Sequence, residues 1–345
     1  MRKYWQVLFL LFLVIPTAWA KENILNLYTW SGVIPNTIIH QFENETGIKV
    51  NFSTYDSNEI MYAKLRATKE AGYDIIEPSS YYIDRMRRQN LLEKLDKTQI
   101  PNFKNLSSDF LNQSYDPNNN YSIPFLWGIT GIFVEKDYFP AGTIKSWTDL
   151  WDPKFKNQLL LLDDSREVFS MALKTLGFSA NDNDPDHIQK AYLKLKSLMK
   201  NVKIFNSDAT VTLLVDEDVT VGMTWNGDLA KAQTENPQLD FIYPSEGFVI
   251  AMDNFSIPKN APHRANAYKF LNFMLRPDVA KTAALYNHYP SANAAAKKLL
   301  PAEIRNNPVI YPSRATMQRG EFQKDVSDQA LELYEKYWEK LKMEG

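Results

Sequence analysis

The stretch LLLLDDSREVF, residues 159–169, runs four leucines directly into the acids Asp163, Asp164 and Glu167. An apolar run of this length is the pattern of a buried strand. Asp164-Ser165-Arg166-Glu167 has the spacing of a helix capping box, with Asp in place of Ser or Thr. The strand is therefore expected to turn into a helix reaching about Leu176, before Gly177. Capping alone accounts for the spacing, and a ligand role is compatible with it. Asp164 and Glu167 lie three apart and share one side of the first turn. The positive end of the helix should keep them ionised. Anions that stay charged at the carboxyl end of a strand are placed to receive an ammonium group.

Aromatic and acidic residues recur at such positions. Residues 24–29 read as a strand that delivers Thr29-Trp30-Ser31-Gly32. A helix opened by Pro35, with Ile38, Ile39 and Phe42 on one face, ends at Gly47. Ile48, Val50 and Phe52 alternate with polar residues as in a half-buried strand, and 57–71 reads as a helix with Gly72 just past its end. Residues 74–77 form a short strand that delivers Ser79-Ser80-Tyr81-Tyr82, and 219–224 form another that delivers Trp225-Asn226-Gly227-Asp228. Strands alternating with helices imply an α/β, doubly wound parallel sheet with ligand sites at the strands' carboxyl ends. The Asn-, Pro- and Tyr-rich segment 112–127 reads as a surface loop or crossover, 182–185 as a turn before a helix, and 325–342 as an amphipathic surface helix.

The N-terminus has a different purpose. Arg2 and Lys3 precede an apolar run from Val7 to Ile15, and Ala18-Trp19-Ala20 is a small-x-small cleavage site. This is the pattern of a secretory signal peptide cut after Ala20, and its apolar run is too short for a membrane span. Its removal takes away two cations and no acid, moving the formal charge from −2 to −4. That balance disfavours nucleic acid and suits a cationic partner. With no cysteine in 345 residues, the chain has no disulfide, thiol nucleophile or lipid-attachment cysteine. A periplasm is the expected destination.

Enzyme signatures are missing: there is no G-x-x-x-x-G-K-[ST], H-E-x-x-H, G-x-S-x-G or G-x-G-x-x-G. The four histidines, His40, His187, His263 and His288, are far apart in sequence. Asp182, Asp184 and Asp186 mimic the start of a calcium loop, but His187 replaces its glycine and Leu193 its bidentate glutamate. Tyr81-Tyr82 invites a ferric reading, against a packed and an exposed tyrosine as the plainer one. No cofactor, metal or catalytic residue is expected.

These residues, with their neighbours, carry a resemblance. The segments QFENETGIKVNFSTYDSNEIMYAKL, EPSSYYIDRMRRQNLLEKLDK, SYDPNNNYSIPFLWG, SWTDLWDPKFK, LLLLDDSREVF, FNSD, MTWNGD, FLNFMLRPDVAK and GEFQKDV occur in order along almost the whole mature chain. The chain resembles the periplasmic polyamine-binding proteins of ABC transporters, specifically the spermidine-preferring type. The resemblance implies a two-lobed periplasmic binding protein fold, each lobe a sheet flanked by helices, with hinge crossovers between lobes. It implies one lobe of 21–131 plus 252–297 and another of 132–251 plus 298–345. It also implies a monomer that captures spermidine or putrescine in the cleft and delivers it to an inner-membrane permease with its ATPase. A sensor passing the signal to a membrane receptor is the alternative, which genomic neighbours would separate. By the same resemblance the ligand meets Trp30, Ser31, Ser79, Tyr81, Asp164, Glu167, Ser207, Trp225, Asp253, Tyr289 and Gln323. Where spermidine binders carry a tryptophan two before the acid, this chain has Ala251; where they typically carry Glu and Tyr, it has Gly32 and Val33.

Overall fold

The computed structural model describes residues 23–67 and 72–344. The segment read as a signal peptide lies outside them, as does the end of the helix expected over 57–71. Strand β1 (Ile24–Trp30) lies between β2 (Lys49–Tyr55) and β3 (Ile75–Ile76), and all three run parallel. Helix α1 (Asn36–Thr46) makes the first crossover because Ile38, Ile39 and Phe42 fall on one face and are buried, a gain of roughly 1.5–3 kcal/mol for each large side chain. Gly47 ends it at φ 67°, and its N–H closes on the Glu43 carbonyl. Helix α2 (Asn58–Ala67) leads towards β3, and α3 (Ser80–Arg88) follows it.

The alternation of strands and helices predicts parallel sheets throughout, but the second sheet is mixed. Its axis is β4 (Ile123–Glu135), whose thirteen residues are all buried. Its first half pairs antiparallel with β9 (Phe248–Phe255), and its second half lies between β7 (Val221–Trp225) and β8 (Leu239–Ile242). Strands β5 (Leu159–Leu161) and β6 (Val202–Phe205) continue beyond β7, and β10 (Gly320–Phe322) lies on the far side of β9. Helices α4 (Ser165–Thr175), α5 (Pro185–Leu198), α6 (Thr210–Val215) and α7 (Asn226–Ala232) flank this sheet, with the C-terminal helix Asp328–Glu344 packed on α5 and α4.

Two apolar cores result. One gathers Leu25, Leu27 and Phe42 with Phe255 and Phe270 and extends to Leu229 and Phe241. The other gathers Leu159, Leu161, Phe169, Met223 and Tyr334. The architecture is α/β, and the two cores lie on opposite faces of the second sheet: Phe133 and Leu160 belong to the first, Ile132, Val134, Leu159 and Leu161 to the second. The segment 112–127, read as a surface loop or crossover, is not a surface loop: its last residues enter β4. Asp116 is fully buried and accepts from the backbone N–H groups of Asn120, Tyr121 and Ser122 and from the Ser122 hydroxyl. Four donors make burial of that carboxylate tolerable, and β4 begins at Ile123.

Candidate ligand-binding site

Asp253 projects from β9 where that strand meets the loop after β3. Antiparallel bridges join Ile76 to Ser256 and Ser79 to Asp253, and the Asn254 N–H donates to the Pro78 carbonyl at 3.0 Å. This backbone stitch, made across 174 residues of chain, lets the Ser79 hydroxyl donate to Asp253 Oδ1 at 2.8 Å. Asn58 at the start of α2 holds the other side: its Nδ2 donates to Ser79 Oγ at 3.2 Å and to the Tyr81 hydroxyl at 3.0 Å. Trp30, at the end of β1, lies close enough for its indole to favour the ionised Asp253, yet its Nε1 has no hydrogen-bond partner among the described residues. Burial dominates and raises the Asp253 carboxyl to about 6.

Tyr289 and Asp228 complete this end. Asn226 pins the start of α7: its Oδ1 accepts from the Ile129 N–H and its Nδ2 donates to the Val309 carbonyl, both at 2.8 Å. The turn that follows presents Asp228, whose Oδ1 accepts from the Tyr289 hydroxyl at 2.8 Å. Burial raises Asp228 to about 6, against the opposing pull of the Tyr289 hydroxyl and Lys231. The Tyr289 ring lies flush on backbone. A Cβ at Gly227 would sit 2.4 Å from it and one at Gly128 3.0 Å, so the ring needs glycine at Gly227. The charges of Asp228 and Asp253 both act on the Tyr289 phenol, which places both acids near it.

The second acid group is the one that ends the leucine strand. Asp164 caps α4, its Oδ1 accepting from the N–H groups of Arg166 at 2.8 Å and Glu167 at 3.1 Å. Only this half of the expected capping box forms. The Glu167 side chain turns towards β4, where Thr130 Oγ1 donates to its Oε2 at 2.8 Å. The expectation that the helix terminus keeps both acids ionised fails at Glu167. Burial raises both, and Glu167 reaches about 8 with the Asp164 charge adding to the rise. A helix end contributes about 0.3–1 kcal/mol at an exposed site, less than the desolvation of a carboxyl that is 3% exposed. Arg166, whose field reaches both acids, directs its guanidinium elsewhere. It donates to Asn181 and the Lys324 carbonyl and lies 5.8 Å from the Tyr81 ring centre and 5.4 Å from that of Tyr334. The charges of Glu59 on α2 and of Asp164 both act on Tyr81, so the start of α4 lies beside α2 and α3.

The structure therefore gathers Trp30, Ser79, Tyr81, Asp253 and Tyr289 with Asp164, Glu167 and Trp225, whose indole favours the ionised Glu167. Three expected residues are less closely joined. Ser31 is exposed and its backbone N–H bonds to Tyr55. The Ser207 hydroxyl accepts from the Asp163 N–H at 3.0 Å, behind the acid pair. Gln323 is buried and held through its backbone, its carbonyl accepting from the Ser80 hydroxyl at 2.7 Å. Asn58, Thr130 and Asp228 escaped the sequence reading as site residues. Thr130 left a trace as a hydroxyl inside the apolar run IPFLWGITGIFV; Asn58 left none.

Chemically, the site presents half-buried to buried carboxyls in two groups, hydroxyl acceptors beside them, and the rings of Trp30, Tyr81, Trp225 and Tyr289. Carboxylates and hydroxyl oxygens satisfy ammonium donors, and aromatic faces suit both cations and methylene chains.

Comparison with known proteins agrees with that chemistry. Residues 37–311 match the family model described as bacterial extracellular solute-binding protein. The spermidine/putrescine-binding periplasmic protein of Salmonella typhimurium is 47% identical, over 94% of this chain and 93% of its own length. The putrescine-binding periplasmic protein of Escherichia coli is 33% identical, over 86% and 85%. A solved spermidine/putrescine ABC transporter substrate-binding protein from Streptococcus pneumoniae superimposes with a TM-score of 0.83 at 35% identity, covering 93% of this chain and 99% of that one.

Proposed function

This chain belongs to the bacterial extracellular solute-binding proteins, and we propose that it captures a polyamine of the spermidine–putrescine class in the cleft between its lobes and delivers it to an ABC permease. It binds and releases; it does not turn over a substrate. The observation that carries this reading is the pair of acid groups, half-buried Asp164 with buried Glu167 and half-buried Asp253 with Asp228, beside the rings of Trp30, Tyr81, Trp225 and Tyr289. A polyamine is an apolar chain with ammonium groups spaced along it, and each such group is costly to desolvate unless it meets carboxylates. The rings of Trp30, Tyr81, Trp225 and Tyr289 then cover the methylenes and add about 0.5–2 kcal/mol each where they face a charge.

The ligand contacts assigned are Trp30, Ser31, Ser79, Tyr81, Asp164, Glu167, Ser207, Trp225, Asp253, Tyr289 and Gln323, with Asp228 added from its bond to Tyr289. The lobes divide as 21–131 with 252–297 and 132–251 with 298–345; every residue of the second apolar core falls in the latter, which supports that division. Hinge closure over the ligand follows from chain crossings between such lobes. The protein works as a periplasmic monomer released by cleavage after Ala20, with an inner-membrane permease and its ATPase as partners. Calorimetric titration of the refolded, ligand-stripped protein with spermidine and putrescine side by side tests the reading. Micromolar or tighter binding of either supports it, and binding of neither removes it.

A further inference from the structure

Glu77 lies in the fold's first sheet, immediately after β3, and takes no part in the contacts described so far. Its side chain is 0% exposed, and neither Oε1 nor Oε2 has a hydrogen-bond partner among the described residues. The residue is nevertheless fixed in place. The Tyr55 hydroxyl donates to its carbonyl oxygen, and the bridge of Ser79 to Asp253 begins two residues later. The groups facing its carboxyl come from three strands: the Trp30 backbone N–H on β1, the Tyr55 phenol on β2 and the Asp253 carboxyl on β9. Around Asp253 stand the Ser79 hydroxyl and the phenols of Tyr115 and Tyr289. The unpartnered Trp30 indole N–H is beside the same acid. A carboxyl and an indole N–H, left without partners at one end of a cleft, mark a place where polar atoms await a ligand.

We propose that Glu77 is a further determinant of ligand binding, a carboxyl that stays protonated while the site is empty and yields its proton when an ammonium group settles on Asp253. The inference rests on the polyamine reading and names the part of the site that reading leaves unused. An ionised carboxylate without partners is too costly at full burial, and the adjacent Asp253 charge adds to that cost, so the neutral acid is the form the empty site holds. Burial, with the Asp253 charge next, pushes the Glu77 carboxyl well above the usual range. An arriving ammonium reverses the balance, because a cation between two carboxyls stabilises the second negative charge. The step is a proton transfer to solvent: the ammonium ligand, the Asp253 carboxylate and the Glu77 acid become an ammonium held by two carboxylates, plus one released proton. No bond to carbon changes and no electrons move.

Calorimetric titration with putrescine and with spermidine at pH 7, repeated in buffers of different ionisation enthalpy, counts the protons released per ligand. Glu167, raised to about 8, is expected to release protons as well, so the decisive quantity is the difference between the native protein and Glu77→Gln. We expect the variant to bind but to release fewer protons, by at least about half a proton per ligand. Equal proton counts overturn the inference and leave the polyamine site standing. Failure of the native protein to bind either amine overturns both. Should Glu77→Gln not fold, difference infrared spectroscopy on Glu167→Gln at pH 8, where Asp253 and Asp228 are already ionised, provides a second reading. A protonated carboxyl band that disappears on ligand addition supports the assignment, and a spectrum without it removes Glu77 from the site.

Discussion

Replacing Glu167 by Gln tests whether the acids of this cleft acquire charge only when a cation arrives. Glu167 is 3% exposed, accepts from Thr130 at 2.8 Å, and is raised to about 8 by burial and then by the Asp164 charge. Alkylammonium groups titrate near the Lys value of about 10.4, so the ligand keeps its charge throughout the range of interest. Below pH 8 each ligand must first ionise Glu167. Between pH 6 and pH 8 that requirement alone should raise spermidine affinity about fiftyfold, close to the limit of tenfold per unit for one group. Asp253 and Asp228, at about 6, add most of their effect below that window. The Gln side chain retains a hydrogen-bonding oxygen for Thr130 but cannot become an anion. Affinity at pH 8 should fall, and the gain from pH 6 to pH 8 should shrink by at least about tenfold. Titration calorimetry, or the emission of Trp30 and Trp225, reads both quantities. A variant that keeps the native gain would show that the pH dependence arises elsewhere and that Glu167 does not change its charge on binding.

Three further outcomes follow from the same geometry. The raised carboxyls hold protons more tightly in the folded than in the unfolded chain. Their stabilisation is therefore complete below the unfolded values near 4 and is lost as pH rises through about 6 for Asp253 and Asp228 and about 8 for Glu167. Calorimetric scans should give the ligand-free protein a lower Tm at pH 8.5 than at pH 5.5 and a larger spermidine-induced rise at pH 8.5; the opposite order would contradict the assignment. Gly227→Ala puts a methyl 2.4 Å from the Tyr289 ring, and the displaced ring should cost roughly 1–3 kcal/mol of stability and weaken polyamine binding, as chemical denaturation and titration would show. Ala251 pairs with Gly128 and lies on the same face of β9 as Asp253. Ala251→Trp should therefore tighten spermidine binding about tenfold by adding a ring wall beside Tyr289, whereas unchanged or weaker binding would mean that the space serves another purpose.

Local signals in the sequence reached as far as single elements. The leucine run became β5, Asp164 became the cap of α4, and Gly47 ended α1, because strand burial, capping and left-handed turns depend on neighbours a few residues away. The misread parts depend on distant chain. Glu167 leaves the capping box because Thr130, 37 residues earlier, offers it a hydroxyl on β4. Asn58 joins Ser79 and Tyr81 across 21 and 23 residues, and Asp228 meets Tyr289 across 61. The polar composition of 112–127 concealed a buried Asp116 because composition does not show how many donors will converge on one carboxylate. The charge state of Glu167 was misjudged for a related reason: the helix end is visible in the sequence, but the depth of burial is a property of the assembled fold.

That charge state bears on selectivity. A site of fully ionised acids would attract any small cation, and four close carboxylates would repel one another strongly in the empty protein. Acids held partly protonated avoid that repulsion, and a ligand must supply the free energy to ionise them. At pH 7 the cost for Glu167 alone is about 1.4 kcal/mol, while Asp253 and Asp228 are already largely charged. A cation that reaches only Asp253 and Asp228 leaves Glu167 protonated and gains nothing from it. A molecule long enough to place ammonium groups at both ends offsets the cost with a second desolvated ion pair, and its methylenes cover the rings between. Discrimination between mono- and polyamines should therefore widen as the acids at the α4 end ionise and collapse at pH values where they stay protonated. The chain's selectivity is then set by how far apart its acids are buried as much as by how many it carries.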